Sequence, residues 1–219
     1  MRLVKSLPQG VLILLGLLLF VGSCLLLQDD SPEAVALSKP PVAAQIAEKL
    51  APGDLIFRSG TAYESYVIKR LSGSAFSHIG LVVQGAPEVE IIHATTDDDP
   101  ARLNQVIRSP LAEFVSPELA THWAVYRLSS LASHERAALV QAVEHSLGLP
   151  FSLRASETDV ARYCTTIIRD GLPPALQQQL TPRFTSYPGF RGELLFPEAF
   201  FALPALELIH TSDERVSDL

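Results

Sequence analysis

The chain is poor in cysteine and in positive charge. Two Cys in 219 residues exclude a disulfide-stapled miniprotein and a Cys-based zinc finger. Lys and Arg total 17 against 24 Asp and Glu, a formal net charge of −7. Nucleic-acid binding needs a basic face, so nucleic acid is not an expected partner. Internal repeats and low-complexity blocks are also missing. What the chain has is apolar residues, 47% of the total, too many for a disordered protein. Its length fits one domain, alone or with an appendage.

Much of the apolar content lies at the start. Gly10 to Leu27 is an uncharged run of 18 residues, and as a helix it would reach about 27 Å, just enough to cross a bilayer. Arg2 and Lys5 precede it and Asp29 and Asp30 follow. That order keeps the N-terminus in the cytoplasm and exports the rest. Three readings stay open: an uncleaved signal anchor, a bacterial lipoprotein signal, or cleavage after Ala34-Val35-Ala36. For the second, Val21-Gly22-Ser23-Cys24 resembles a lipobox, with Cys24 as the lipid attachment site. Residues 1–27 are therefore assigned to a signal or anchor, and 28–42, with Pro32, Pro40 and Pro41, to a tether. Without residues 1–27 the chain keeps 15 basic and 24 acidic residues, net −9, and has no basic patch for anionic lipid heads.

The expected domain spans 43–210, followed by a tail, 211–219. Its pattern is α+β with a small antiparallel sheet. Helical spacing is read over 43–50, Tyr63 to Leu71, Ser133 to Leu147 and Ala161 to Asp170. In the third of these, Ser133 would cap the helix and Leu139, Val140, Val143 and Leu147 would share a face. Strands are read over Asp54–Arg58, Ile79–Val83, Val89–His93 and His122–Leu128, the middle two forming a hairpin through Gly85 and Pro87. Residues 95–120 are polar and resist assignment. Pro197 reads as a first helical position before an apolar stretch to Ile209.

Cys164 is the lone thiol of the exported part, with no intramolecular partner. An inert buried Cys is the ordinary explanation. The helical spacing of Val160, Cys164, Ile167 and Ile168 gives a second one. It places Cys164 near a helix start, capped by Ser156 or Thr158, where the dipole and free N–H groups lower a thiol pKa from about 8.5. Those groups would also suit an oxyanion. A thiol nucleophile needs a base. His78 starts one hairpin strand and His93 lies 15 residues on, in reach as an opposite or diagonal partner that could orient the His78 imidazole. Each His alone has the plainer reading of a satisfied or solvated side chain. His122, His134, His145 and His210 are read that way. Asp97 to Asp99, close to His93, are read as a solvated loop rather than a metal cluster.

Gly53-Asp54-Leu55-Ile56, Ser77-His78-Ile79-Gly80-Leu81-Val82-Val83, Ile91-Ile92-His93-Ala94 and Tyr163-Cys164-Thr165-Thr166-Ile167-Ile168 resemble the permuted papain-like amidases of the YaeF/YiiX type. These are relatives of the NlpC cell-wall endopeptidases. The resemblance runs over about residues 50–200, and Leu195-Phe196-Pro197-Glu198 is similar to that family's tail. In unpermuted relatives the Cys helix precedes the His strand, whereas here His78 comes first. The resemblance implies a permuted papain-like fold and a cysteine hydrolase, an amidase or peptidase. Cys164 is then the nucleophile, His78 the general base and His93 its orienting partner. Tyr163 would lend its hydroxyl to the oxyanion site or serve only in packing. No metal and no cofactor is expected.

The leading expectation is a membrane-tethered enzyme on the periplasmic side of a bacterial envelope. It would cleave an amide, with cell-wall peptides (peptidoglycan) as candidate substrates, through a Cys164 thioester. Two alternatives stand beside it. One is a lipid-directed acyl hydrolase or acyltransferase of the same architecture. The other is a catalytically silent envelope binding domain.

Overall fold

A computed structural model of the chain describes residues 45–154 and 160–213. The anchor, the tether, Cys24 and the Ser156 and Thr158 cap positions lie outside the described residues. Among the described residues no helix is long and apolar enough to cross a membrane.

The described part opens on a 3-10 turn, Ala47–Lys49, flanked by buried Ile46 and Leu50. Then follow β1 (Leu55–Gly60), α1 (Tyr63–Ser72), β2 (His78–Gln84), β3 (Glu90–Thr95), β4 (Gln105–Pro110), α2 (Leu111–Phe114), β5 (Ala120–Leu128) and α3 (Ser133–Glu144). The second half holds α4 (Cys164–Arg169), α5 (Pro174–Gln177), β6 (Arg183–Thr185), β7 (Gly192–Leu194), a 3-10 turn at Pro197–Ala202 and β8 (Leu206–Thr211). Six strands form one antiparallel sheet in the order β4-β3-β2-β1-β5-β8, and β6 pairs only with β7.

The sheet is covered on both faces, and this explains why its central strands are apolar throughout rather than alternating. Leu55, Phe57, Ile79, Leu81 and Ile92 pack with Leu139 and Val143 of α3 and Ile167 and Ile168 of α4. Ile56, Val82, Ile91 and Val125 pack on the other side with Phe114 and Trp123. β1 and β2 therefore carry no solvent face, and the residues they point into the sheet's ends are held in fixed places. Gly73 closes α1 in the left-handed region at φ 73°, its N–H bonding the Lys69 carbonyl at 2.9 Å, as a C-terminal glycine does.

Several expectations change. The segment 95–120 contains β4, whose pairing with β3 completes one edge of the sheet. Pro197 does open a helical segment, the 3-10 helix Pro197–Ala202, but the apolar stretch does not stay helical: from Leu206 it is β8, paired with β5. None of its residues is fully buried and Glu207 and Leu208 are exposed, as at a sheet edge. The helix expected at Ala161 starts later, at Cys164, and its N-cap is Tyr163. Thr166 supplies the local bonds, accepting the Tyr163 N–H at 2.9 Å. Val160 stays outside the helix and is 60% exposed, so it does not share the Cys164 face. In α3, Leu139 and Val143 are buried, but the helix ends before Leu147, which is exposed. Its N-cap is Ala132 rather than Ser133, and the Ala132 N–H is taken by the Glu135 carboxylate at 2.9 Å.

Candidate active site

The site forms where the start of β2 meets the start of α4. β1 and β2 are paired so that Arg58 lies opposite His78. β2 and β3 pair Leu81 with Ile92, which carries Gly80 opposite His93 and leaves His78 on the diagonal. This is the second of the two hairpin relations expected from the sequence. Gly80 is needed here: a Cβ would come within 2.5 Å of Ile91 Cγ2, 3.2 Å of Phe114 Cε2 and 3.4 Å of His93 Cβ.

His78 Nε2 lies 3.0 Å from His93 Nδ1, a good hydrogen-bond length. On its far side His93 Nε2 lies 3.1 Å from Ser109 Oγ of β4. His93 is fully buried, with Phe114 edge-on at 4.9 Å between ring centroids. His78 packs on the same ring at 5.7 Å and opens onto a cavity of about 300 Å³. Cys164, Tyr163 and Arg58 line that cavity too. The backbone N–H groups of Ile79, the residue after His78, and of Thr165 and Cys164 at the helix start act on the Cys164 sulfur in favour of its thiolate. The thiol and the His78 imidazole thus border one space, with His93 behind the imidazole.

The electrostatics depart from one expectation. The helix start was expected to lower the Cys164 pKa, but burial pushes the thiol up, from 9.0 to about 11, against those N–H groups and the nearby Arg58. Cys164 is only 8% exposed, and losing water costs the thiolate more than a short helix returns. Burial, then Arg58 and His93, holds His78 well below its ordinary 6.5. Burial and then Arg58 hold His93 at about 3, with Asp98 pulling the other way. The resting pair is therefore neutral thiol and neutral imidazole.

Tyr163 is buried, and its hydroxyl accepts the Leu195 N–H at 2.9 Å. Thr165 donates to the Leu195 carbonyl at 2.7 Å. Together they tie α4 to the segment that includes Phe196 and Pro197. His122 and His210 lie on β5 and β8, beside Phe76 and Trp123, and His134 and His145 are exposed at the two ends of α3. None of the four borders the cavity.

The sequence did not bring out Arg58, Asp98, Ser109 or Phe114. Asp98 is no solvated loop residue: its side chain is 10% exposed and ion-paired with the buried Arg58 guanidinium, while its neighbour Asp97 is exposed. Arg58, the one charged residue of the strand Leu55–Gly60, is the signal that could have found the pair, because a buried charge demands a partner.

A thiol, an imidazole and a second imidazole behind it, brought together by a helix and an antiparallel sheet, are the groups that a papain-like cysteine hydrolase uses. The chain belongs to the permuted papain-like amidase enzymes, the YaeF/YiiX, C92 family, whose profile matches residues 49–207. It is accordingly a cysteine-dependent hydrolase of the amidase class. The crystal structure of the metalloprotein yiiX from Escherichia coli O157:H7 has the same fold, with a TM-score of 0.60 and 19% identity over 75% of this chain and 98% of that one. No curated protein is a detectable relative of the sequence.

Proposed function

We propose that the protein is an amidase in which Cys164 is the nucleophile, His78 the proton carrier and His93 the residue that orients it. The observation that carries this reading is the 3.0 Å bond between His78 Nε2 and His93 Nδ1, which leaves His78 Nδ1 for a proton from the thiol bordering the same cavity. Cys164 is also the sole Cys within the matched span, 49–207. As the substrate carbonyl enters, the Cys164 proton moves to His78 and sulfur bonds to the acyl carbon. The carbonyl oxygen gains negative charge, which N–H groups near the sulfur can stabilise. The C–N bond then breaks and the amine leaves with the proton from His78; water attacks the thioester with His78 as base, the C–S bond breaks to release the carboxylic acid, and His78 returns the proton to the Cys164 sulfur.

The YiiX neighbour is a metalloprotein, and in this chain His78, His93 and Asp98 bring three possible ligand atoms within 4.8 Å of one another. The set does not fit a resident cation. The Asp98 carboxylate already holds Arg58, and the two imidazoles face each other through a hydrogen bond. A metal ion there would sit beside the buried Arg58 guanidinium and would have to compete with it for the Asp98 carboxylate. The chemistry above runs through protein groups.

The cavity favours one refinement of substrate. Ile68, Leu119, Phe151, Leu153, Phe190 and Phe196 line much of it, so an apolar acyl group is a better fit than a charged peptide. This supports the lipid-directed reading alongside cell-wall peptides. The Gly10–Leu27 run, or a lipid on Cys24, would hold such an enzyme at the outer side of a membrane.

The test is incubation of the full chain with peptidoglycan fragments and, separately, with phospholipid vesicles. Expected is product release by wild type, none by Cys164→Ala, and an acyl adduct on the Cys164 peptide by mass spectrometry. Turnover by Cys164→Ala equal to wild type would overturn the nucleophile. Binding of either material without turnover would favour a silent binding domain.

A further inference from the structure

Arg58 has no part in the chemistry just described, yet it is 4% exposed at the edge of the cavity. Its Nη1 donates to the Phe114 carbonyl at 3.0 Å, its Nη2 bonds Asp98 Oδ2, and its guanidinium carbon lies 4.5 Å from the centre of the Phe114 ring. Asp98 Oδ2 is in turn 3.7 Å from His93 Nδ1, too far for a hydrogen bond but close enough to act on its charge. His93 Nδ1 therefore faces two groups, the His78 imidazole and a carboxylate.

Which of them it serves decides whether His78 can work. If His93 carries its proton on Nε2, toward Ser109, its Nδ1 lone pair accepts the His78 Nε2–H. His78 Nδ1 is then unprotonated and able to take the thiol proton. If His93 carries its proton on Nδ1, His78 Nε2 must be the acceptor. The His78 proton then sits on Nδ1, and the ring presents a donor to the thiol instead of a base. A free carboxylate 3.7 Å from Nδ1 would favour this second, inactive arrangement, either as the neutral tautomer or as imidazolium.

We propose that Arg58 is a positioning residue: by engaging the Asp98 carboxylate it leaves His93 Nδ1 to accept from His78, and so keeps His78 in the tautomer that can deprotonate Cys164. The inference rests on the amidase reading above for its meaning, but its geometry does not involve sulfur. The groups facing His93 are few. β1 gives Arg58, β2 gives His78, β4 gives Ser109, and the loop after β3 gives Asp98 and the more distant Arg102, itself bonded to Asp99 at 2.6 Å. From α2 comes the Phe114 ring, with Glu113 exposed. Arg58 contributes to keeping His93 neutral, against the pull of Asp98.

The experiment is long-range ¹H–¹⁵N NMR of the histidine rings in the full chain, with a pH titration, alongside kcat and KM. In wild type, His78 and His93 are both expected as Nε2–H tautomers, a measurement that needs no variant to fold. Arg58→Met is expected to move one of these histidines' titrations upward by a pH unit or more, with a 10- to 100-fold loss in kcat and little change in KM. Arg58→Met with Asp98→Asn removes both charges together, and is expected to return the tautomers and to recover at least tenfold of the lost kcat. An Nδ1–H tautomer for His93 in wild type overturns the proposal, as does a double variant no better than Arg58→Met in tautomer and rate. The NMR result is the same in Cys164→Ala if Arg58 acts as stated, so a failure of the nucleophile assignment shows in turnover and not in the ring signals.

Discussion

The imidazoles of His78 and His93 meet edge to face, with ring planes 87° apart and Nε2 of the first 3.0 Å from Nδ1 of the second. A perpendicular contact aims the lone pair of one ring along the N–H of the other. It also fixes the rotation of His78 about its own side chain, because Phe114 packs against both rings. The pair is held by three strands and α2, which is why a base at the open end of a strand can be kept in one orientation.

His93→Ala is expected to reduce kcat by about 100- to 10,000-fold, the usual range for a misdirected general base, with KM changed much less. His78→Ala should reach the same floor as Cys164→Ala, and the double variant should add little, since residues acting as one unit are not additive. Steady-state kinetics on whichever substrate is turned over checks this. Equal kcat in wild type and His93→Ala would remove His93 from the site.

The Cys helix and the His hairpin are legible in the sequence because each is local. The place of Cys164 at a helix start and the short turn between β2 and β3 are each set within about 15 residues. Arg58, Asp98, Ser109 and Phe114 are not legible, because they converge from four segments that meet only in the folded sheet; Arg58 and Phe114 are 56 positions apart. The strand at Leu206–Thr211 misleads for another reason. Its apolar composition suits helix or strand, and only the open edge of β5 decides. The start of α4 was misplaced because the side chain that serves its first turn, Thr166, lies inside the helix rather than before it.

Stability should peak between about pH 6.5 and 9. His78 and His93 have folded pKa values below the ordinary 6.5, so below that pH the unfolded chain binds protons that the folded one does not, and stability falls with falling pH. Cys164 is raised from 9.0 to about 11, so between those values the unfolded chain loses a proton that the folded one keeps, and stability falls as pH rises. Each buried group contributes a slope of up to roughly 1.4 kcal/mol per pH unit. Thermal unfolding across pH 5 to 10 gives the curve. In Cys164→Ala the alkaline fall attributable to the thiol should vanish, and an unchanged alkaline limb would contradict the burial effect.

The same shift sets the reactivity of the resting enzyme. With the thiol near 11, the thiolate fraction grows about tenfold per pH unit below that value. Alkylation of Cys164 by iodoacetamide should therefore climb steadily from pH 7 to 10. A rate already flat from pH 6 upward would mean a preformed thiolate paired with charged His78, contrary to a neutral resting pair.

Gly80→Ala tests the packing behind the site. The added methyl meets a branched carbon of Ile91 at 2.5 Å, with Phe114 at 3.2 Å and His93 at 3.4 Å. Two of these neighbours are buried ring systems with nowhere to move. Overpacking of this kind costs about 1–3 kcal/mol, and relief by displacing His93 would lengthen its bond to His78. Chemical denaturation should show the loss, and kcat should fall beyond what the lower folded fraction explains.

Asp54 separates a family motif from the chemistry. It is fully buried, accepts the Ala51 N–H at 2.8 Å and takes Arg127 through two bonds of 2.7 Å each. It does not border the cavity. Its place in the Gly-Asp pair is therefore structural: it fastens the entry of β1 to β5, so that Arg58, four residues on, is delivered at the right height beside His78. Asp54→Ala leaves the Ala51 N–H without its acceptor and the Arg127 guanidinium with only the Lys49 carbonyl, at 3.0 Å, which should cost about 2–4 kcal/mol by denaturation. Because Asp54 touches neither imidazole, the pH profile of kcat should keep its shape in the fraction that folds. A profile displaced along the pH axis would show that the β1 entry sets the electrostatics of the site as well as its position.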